Sequence, residues 1–496
     1  MAGYLPNDKK DNGDGASEEH LAPVNPLARP LPWWLRYFKG SAEETVLKDK
    51  IIQLGTVMGL QDKWLKTITG YAVSEYSKKG LGPDYYGYHN IDHELEATYF
   101  TLLSASGQNE ENKFSQMDIN YLLLAALFHD YDPLKEFDKP NEDSVEWFIR
   151  HDNKIKKFID DVGINIDIVI AIIHRTAYPF KGAIADHAIR RMNELFTRAG
   201  ISEDDSETRK HYHDLGWFLS VAERMAGYAL GNFEHSKELA RRNAHALGWH
   251  PSLINEESVK FFSIFKEERQ MFEIVLRGIS EEYKKRFFDN VESFKQAREE
   301  EIDVRNAIDK KELRLATKVE RIESELESSV KESVLHLHRE LPVPVRIDEE
   351  KFTESLSNHG TILITLRVNN DYGKIVGYVK GGALEKYNLR RGTRDENSGR
   401  RNTAYMESTS IKAGYWGATG GHLLRRVFLS EAKKRGFKYV SAYVHRNVIM
   451  RRLNDGESIE IVQKYDPDRL DYYRQDLTKL VEDNILPPTI TADLQK

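Results

Sequence analysis

The hydrophobic period of this chain changes once, and that change fixes what it can fold into. From Ser41 to about Ile279 apolar residues recur at helical spacing, and the alternation of β-branched residues that marks strands is missing. After Pro342 and Pro344 the pattern turns to short β-rich runs, 361–366 and 374–379, joined through Asn369-Asn370-Asp371-Tyr372-Gly373 as a hairpin. Further strands are predicted over about Thr403 to Ile411, Lys438 to Val444 and Leu470 to Leu477. A helix carrying Leu423, Leu424, Val427, Phe428 and Leu429 follows the first of these, and a short helix covers Asn447 to Leu453. At 496 residues the chain is too long for one ordinary core, so the expected fold class is multidomain: an all-α region, a helical connector, then an α/β (α+β) region.

The boundaries follow composition. Residues 1–30 are rich in Gly, Asp, Asn, Glu and Pro and read as a disordered tail, with a second tail over 487–496. Pro32-Trp33-Trp34-Leu35-Arg36-Tyr37-Phe38 reads as an aromatic segment docking on its own domain, which spans 31–279. The stretch 280–345 is highly charged, and Leu315, Val319, Ile322 and Leu326 take the four- and three-residue steps of a heptad seam. A helical connector is predicted there, able to serve as a homodimer contact through residues 313–330 or to lie against a neighbouring domain. The last domain is expected over 346–486.

Charge and composition exclude several function classes. The formal net charge of -7, from 72 basic and 79 acidic residues interspersed along the chain, offers no clear nucleic-acid surface and no field for an anionic membrane. The start has no apolar signal segment and no run of apolar residues is long enough to span a bilayer, so a cytoplasmic protein without a membrane partner is expected. The absence of cysteine excludes disulfides, thiolate zinc sites and Cys nucleophiles. Histidine and carboxylate are left as the protein metal ligands.

Those ligands cluster in two short motifs. His89-Asn90-Ile91-Asp92-His93 places two imidazoles four residues apart, on one face if a helix begins at Asn90. His129-Asp130 closes the apolar run from Tyr121 to Phe128, and an ionisable pair at the end of a buried helix is costly unless a metal or partner neutralises it. Imidazole with carboxylate suits a divalent Zn, Mn, Fe or Mg ion, which can acidify a bound water enough to attack phosphorus near neutral pH. On helical phase, Trp217, Phe218, Val221, Ala222 and Met225 form one apolar face onto which Asp214 projects, with Glu223 pointing away. His187, His211 and His213 lie in polar surroundings and read as solvated.

At these residues the chain resembles the HD-domain phosphohydrolases, in particular the branch that shares a HNxxH signature with cyclic-nucleotide phosphodiesterases. The resemblance implies that His93, His129 and Asp130 are metal ligands and that His89 donates a proton to the leaving oxygen. Asn141-Glu142 followed by Ser144 fits the family's pattern downstream of the doublet. Ile170 to Thr176 resembles the later helix whose His174 and Arg175 face the phosphate, with Lys181 offsetting its charge. The family closes its site with an aspartate; here Val221-Ala222-Glu223-Arg224 puts Glu223 in that place, with Asp214 as the alternative ligand. The implied substrate is a phosphorylated small molecule, a nucleotide.

The β-rich region carries a second candidate site. Between a strand and a helix, Lys412 to Gly421 is Gly-rich, and such a turn presents backbone N–H groups and the positive end of a helix dipole to a phosphate. Gly414, Gly417, Gly420 and Gly421 allow close approach, and Arg425 and Arg426 lie one turn further along. In its order of elements the region from about Glu349 to Leu477 resembles the GNAT acyltransferases. Their loop reads Arg or Gln, two residues, Gly, one residue, Gly or Ala; those places here hold Trp416, Thr419 and Gly421. The resemblance implies an acetyl-CoA or other acyl-CoA site at Gly417, Thr419, Gly420 and Gly421. It also implies a general base at Glu407 and an acid at Tyr405 or Tyr465.

The sequence thus predicts metal-dependent hydrolysis of a phosphoester or phosphodiester by the N-terminal region, joined to an acyl-CoA-type domain. Acyl transfer with a degenerate first domain, and ligand sensing without turnover, are the alternatives.

Overall fold

The computed structural model describes residues 35–82, 85–108, 114–132, 141–247, 249–322, 326–341, 345–390, 392–466 and 468–480. The tails expected over 1–30 and 487–496, and Trp33, Trp34, Pro342 and Pro344, lie outside them. Among the described residues an all-α region comes first: α1 Leu35–Val57, α2 Asp62–Lys78, α3 Ile91–Ser106, α4 Gln116–Phe128, α5 Glu142–His151, α6 Asn153–Val162, α7 Ile166–His174, α8 Gly182–Arg198, α9 Ser206–Leu230, α10 Phe233–Leu247, α11 Ile254–Glu267, α12 Arg269–Arg277 and α13 Glu281–Asp309. None of the described helices is long and apolar enough to cross a membrane.

Local chemistry sets the helices that matter for the site. Asn90 caps α3, its side chain accepting from the His93 N–H at 3.0 Å. The spacing of His89-Asn90-Ile91-Asp92-His93 is therefore cap spacing, with the second histidine three residues past the cap, and Asn90 fixes where its ring emerges. Ser115 and Asp118 form a reciprocal capping box at the start of α4. From Asp118 to Phe128 every residue of α4 is buried, so it is a central helix that ends at His129 inside the protein. His211 is exposed, as expected, and also bonds Asp118 at 2.8 Å, tying α9 to that cap.

A seven-stranded mixed sheet follows, built from β1 Leu315–Glu320, β2 Ile362–Val368, β3 Ile375–Ala383, β4 Thr403–Ile411, β5 Tyr439–His445, β6 Ile459–Gln463 and β7 Leu470–Asp476, in the order β1-β2-β3-β4-β5-β7-β6. The pair β4–β5 is parallel and is held only through Thr403 to Tyr405, so the two strands diverge beyond that point. On one face α16, Gly420–Lys434, packs on Ile364, Leu366 and Val379; on the other α14, Ser328–Arg339, and α15, Glu349–Ser355, cover Leu363 and Tyr378. The short helix α17, Arg446–Asn454, follows β5. The fold class is the one the sequence predicts, an all-α region followed by a mixed α/β sheet.

The connector differs from expectation. Residues 281–309 are helical, but Leu315–Glu320 is an edge strand paired antiparallel with β2. Leu315, Thr317 and Val319 alternate at period two, and over six residues that pattern cannot be told from a heptad step. Leu315 and Val319 pack on the sheet core, while Ile322 and Leu326 join the cluster under α14. With Leu315 and Val319 on a strand, the described residues form no continuous helical seam for either alternative, a homodimer contact through 313–330 or a helix against a neighbouring domain. The strand β6 escaped the sequence reading altogether.

Two glycines brace the far end of α3. A Cβ on Gly278 would lie 1.8 Å from the Ser104 carbonyl oxygen, and one on Gly107 would lie 2.0 Å from that of Gly278. The backbones touch, and no side-chain rotation relieves an added methyl. Gly278→Ala is expected to lower stability by about 3 kcal/mol through overpacking, read as a lower urea midpoint with unchanged slope. An unchanged midpoint would show that the two backbones are not in contact.

Candidate metal centre

Three elements deliver the ligand atoms. α3 supplies His93 in its first turn, the end of α4 supplies His129 and Asp130, and α9 supplies Glu223. His93, His129 and Glu223 each offer one atom, and these lie within 4.8 Å of one another. The Asp130 Oδ2 atom sits between them, 3.2 Å from His93 Nε2 and 3.3 Å from His129 Nε2, with His89 Nε2 at 3.8 Å. His93, His129, Asp130 and Glu223 are each less than 10 % exposed, at 3, 2, 9 and 7 %.

The sequence left Asp214 and Glu223 open as the closing carboxylate, and helical phase favoured Asp214. The structure points the other way. Between Leu215 and Ala229 α9 is buried on nearly all sides, so it has no outward face for Glu223 to occupy. Glu223 Oε2 lies 4.0 Å from His93 Nε2, whereas Asp214 is a third exposed and pairs with Lys210 and His213.

The donor set fits a divalent cation. The Nε2 atoms of His93 and His129 are buried and both face the Asp130 carboxylate, at 3.2 and 3.3 Å, an arrangement in which a shared cation could take the place of protons. Burial opposes charging these rings, yet Asp130, Glu94 and Glu223 outweigh it and hold both above the ordinary imidazole value, His129 furthest. Burial pulls in the opposite direction to the imidazoles at Asp130 too, and there His129, His89 and His93 hold the carboxyl well below its usual range. Burial pushes Glu223 up to about 7 against the pull of His129, His93 and Arg224. A bound cation would replace those protons as the balancing charge.

Glu94 was missed by the sequence reading. It is 0 % exposed, and its Oε2 lies 3.0 Å from His129 Nδ1, which also stands 3.1 Å from the Ala126 carbonyl. A proton held on Nδ1 by these acceptors leaves Nε2 as the lone-pair nitrogen facing Asp130. Glu94 shares α3 with Asp92 and Glu96, so nothing in the sequence singled it out.

His174 and Arg175 do not share a task. His174 is buried and meets Glu146 at 3.1 Å, where Arg150 at 2.7 Å and Arg191 at 2.9 Å also bind. Glu146 is grouped with His174 and Asp143 as a second ion-holding cluster, but two guanidinium groups already neutralise it and Asp143 is exposed. Arg175 turns instead into a pocket with Tyr178, Phe180, Lys181, Trp217 and Arg224. Lys181 is exposed and paired with Glu267 at 2.6 Å.

In the sheet region the Gly-rich loop divides in two. Its first half is a joint: Ala413 and Trp416 belong to the core of the helical region, Lys412 bonds Glu300 at 2.5 Å, and a Cβ on Gly414 would lie 2.6 Å from Glu300. Of its second half, Gly417 still packs on the joint, where a Cβ would lie 2.3 Å from Ser252 Cβ, while Thr419, Gly420 and Gly421 lead into α16; Thr419 is left-handed at φ +59 and no side chain caps the helix. Arg425 turns away to Glu457 and Gln475. Glu407, expected as a general base, sits at a β-bulge and is ion-paired with the fully buried Lys380. Tyr405 is buried against Tyr387, and the Tyr465 hydroxyl bonds Thr393.

No protein-family model matches this chain, and no curated protein does. Solved structures resemble it over its C-terminal third. The ribosomal-protein-S18-alanine N-acetyltransferase from Escherichia coli is 14% identical, covers 34% of this chain and 98% of its own, and gives a TM-score of 0.23. An acetyltransferase of the GNAT family from Staphylococcus aureus Mu50 is 14% identical, covers 33% and 99%, and gives 0.23. One from Streptococcus pneumoniae is 16% identical, covers 32% and 97%, and gives 0.21.

If Glu94 orients and strengthens His129, the isosteric change Glu94→Gln is expected to weaken Mn or Zn binding by about 10–100-fold, measured by competition with a chromogenic chelator. Unchanged affinity would remove Glu94 from the site.

Proposed function

We propose that the N-terminal region hydrolyses a phosphoester or phosphodiester of a small molecule, a nucleotide, at a divalent metal held by His93, His129, Asp130 and Glu223. The observation that carries this reading is the convergence of the buried His93, His129 and Glu223 ligand atoms, with the Asp130 carboxylate 3.2 and 3.3 Å from the two imidazole nitrogens. When bound, Mn, Mg, Fe or Zn would supply Lewis acidity and a water acidified enough to attack phosphorus.

The chain's own residues supply the rest. With a cation in place of their protons, His93 and His129 would present Nε2 lone pairs, and Glu94 with the Ala126 carbonyl would keep the His129 proton on Nδ1. Glu223 places a carboxylate where the HD-domain resemblance carries an aspartate; its extra methylene reaches across from α9 to the His93 ring. His89 is more open than His93, with its side chain 19% exposed, and stands beside Asp130. That position suits a proton donor to the leaving oxygen, since the donor must meet substrate while the ligands stay buried.

An acyl-CoA-type site at Gly417, Thr419, Gly420 and Gly421 is the second reading, favoured by the uncapped, glycine-rich start of α16. The engagement of Glu407 by Lys380 weighs against a general base there.

Two variants test the first reading on a chromogenic phosphodiester and a nucleotide panel. His129→Ala is expected to lose metal and at least about 100-fold in metal-dependent turnover. His89→Ala is expected to keep its metal and lose about 100- to 10,000-fold. Wild-type protein that holds metal and turns over none of these esters would contradict the hydrolase assignment.

A further inference from the structure

The charge of the chain is balanced only as an average. Residues 346–486 carry 25 Lys and Arg against 19 Asp and Glu, a formal +6, while the rest of the chain carries 47 against 60, a formal -13. An asymmetry of this kind between two parts of a chain fits a polyanionic partner for the basic part. The fold gathers basic residues at one end of the sheet. β4 and β5 run parallel, so both start there; β2 also starts there, and β3, antiparallel to β2 and β4, ends there.

Several elements bring cations to this end. Lys386 follows β3, Arg400 and Arg401 precede β4, Lys434 closes α16, and Arg435 and Lys438 lead from it into β5; all are exposed. Hydrogen bonds hold these segments together: the Lys438 N–H donates to the Asn402 carbonyl at 2.8 Å, Arg435 Nη1 to the Thr361 carbonyl at 3.1 Å, and Lys386 Nζ to Asn358 Oδ1 at 2.7 Å. Of the carboxylates here, Glu431 is bonded to Arg435 at 2.8 Å, and Glu385 accepts the backbone N–H of Arg401 at 2.7 Å. Among the described residues none pairs with the side chains of Arg400, Arg401, Lys434 or Lys438. The helical region treats surface lysines differently: Lys66, Lys260 and Lys285 each meet an acid four residues away, at 2.6, 2.8 and 2.6 Å. The negative end of α16 accounts for Lys434, but not for Arg400, Arg401 or Lys386, which come from other elements. Arg401 is also held at φ +52, a left-handed conformation that favours glycine.

We propose that this end of the sheet binds the phosphate backbone of a duplex nucleic acid. Neighbouring strands lie about 4.8 Å apart, so the row from β2 to β5 spans roughly 15 Å, the length of about four base pairs. None of the exposed large apolar side chains among the described residues lies at this end. A protein interface needs an apolar core, and a membrane-surface segment needs an apolar face to insert. A surface that is polar, strongly positive and without exposed aromatic faces fits phosphates instead, and has nothing on which to stack unpaired bases. Recognition is then of backbone charge rather than of sequence. The surface needs neither the metal centre nor the Gly-rich loop, which follows β4 at the opposite end of the sheet.

The test is fluorescence anisotropy of a labelled DNA duplex of about 20 base pairs, titrated with the full chain over a salt series centred on about 150 mM. Saturable binding is expected, indifferent to base sequence, with log affinity falling against log salt at a slope of about -4 to -5. Arg400→Glu/Lys434→Glu/Lys438→Glu is expected to weaken binding at least about 100-fold at the central salt and to flatten the slope by about 3. Arg401→Gly removes one cation and relieves the left-handed residue, so it is expected to fold at least as well and to flatten the slope by about 1; it carries the test if the triple variant fails to fold. Lys66→Glu/Lys260→Glu/Lys285→Glu makes the same change in net charge on the helical region, and is expected to leave affinity within about threefold. No saturable binding at the central salt, a slope unchanged in Arg401→Gly, affinity retained in a folded Arg400→Glu/Lys434→Glu/Lys438→Glu protein, or an equal loss in the helical-region variant would each overturn the proposal. Tighter binding of a single strand of the same length, or displacement of the duplex by phosphatidylserine vesicles or polyglutamate at equal anion concentration, would overturn the assignment to duplex nucleic acid.

Discussion

Charge buried at the end of α4 has to be balanced where it stands. That helix is enclosed along its whole length and delivers His129 and Asp130 to the interior, where α3 brings His93 and Glu94 and α9 brings Glu223. Three carboxylates and two imidazoles in so little solvent are stable only if something positive sits among them. Protons on the imidazoles can do this, but each one on Nε2 occupies the lone pair a metal would use. The packing of α3, α4 and α9 on one another is thus also the geometry of the candidate site, and the Asn90 cap and the Gly107–Gly278 contact matter because they fix α3 at both ends.

The helix α13 joins this region to the sheet. Phe287 and Phe294 in its first half belong to the helical core, while Val304 near its end belongs to the sheet core. Glu301, with no exposure, bonds Arg298 and Asn255, and Asn255 also reaches the Ala413 carbonyl. The first half of the Gly-rich loop is therefore spent on packing, and Trp416, at the place the expected loop pattern gives to Arg or Gln, belongs to the helical core. A large indole suits a joint better than a cradle.

Much of this was legible in the sequence, and the failures have physical causes. Helical spacing before residue 280 and β-rich runs after residue 345 gave the fold class, and the two histidine motifs named three of the four side chains that the structure brings together. Helical phase pointed Glu223 outward because it assumes a helix with one wet face, and α9 has none over that stretch. Glu94 escaped because an acid in a helix reads as surface unless its surroundings are known. β1 escaped because six residues cannot separate period two from a heptad step, and pairing with β2 decided it. Glu407 was placed correctly on β4, but its partner Lys380 comes from β3, across the sheet, where one-dimensional reading does not reach.

The central claim is that the buried cluster of His93, His129, Asp130 and Glu223 is a metal site. Elemental analysis of the full chain after extensive dialysis, with His93→Ala/His129→Ala as the control, tests it most directly. About one or two divalent ions per chain, lost in the double variant, is the predicted result. A folded wild-type protein that holds no Zn, Mn, Fe or Mg, and takes none up when they are offered, would contradict it.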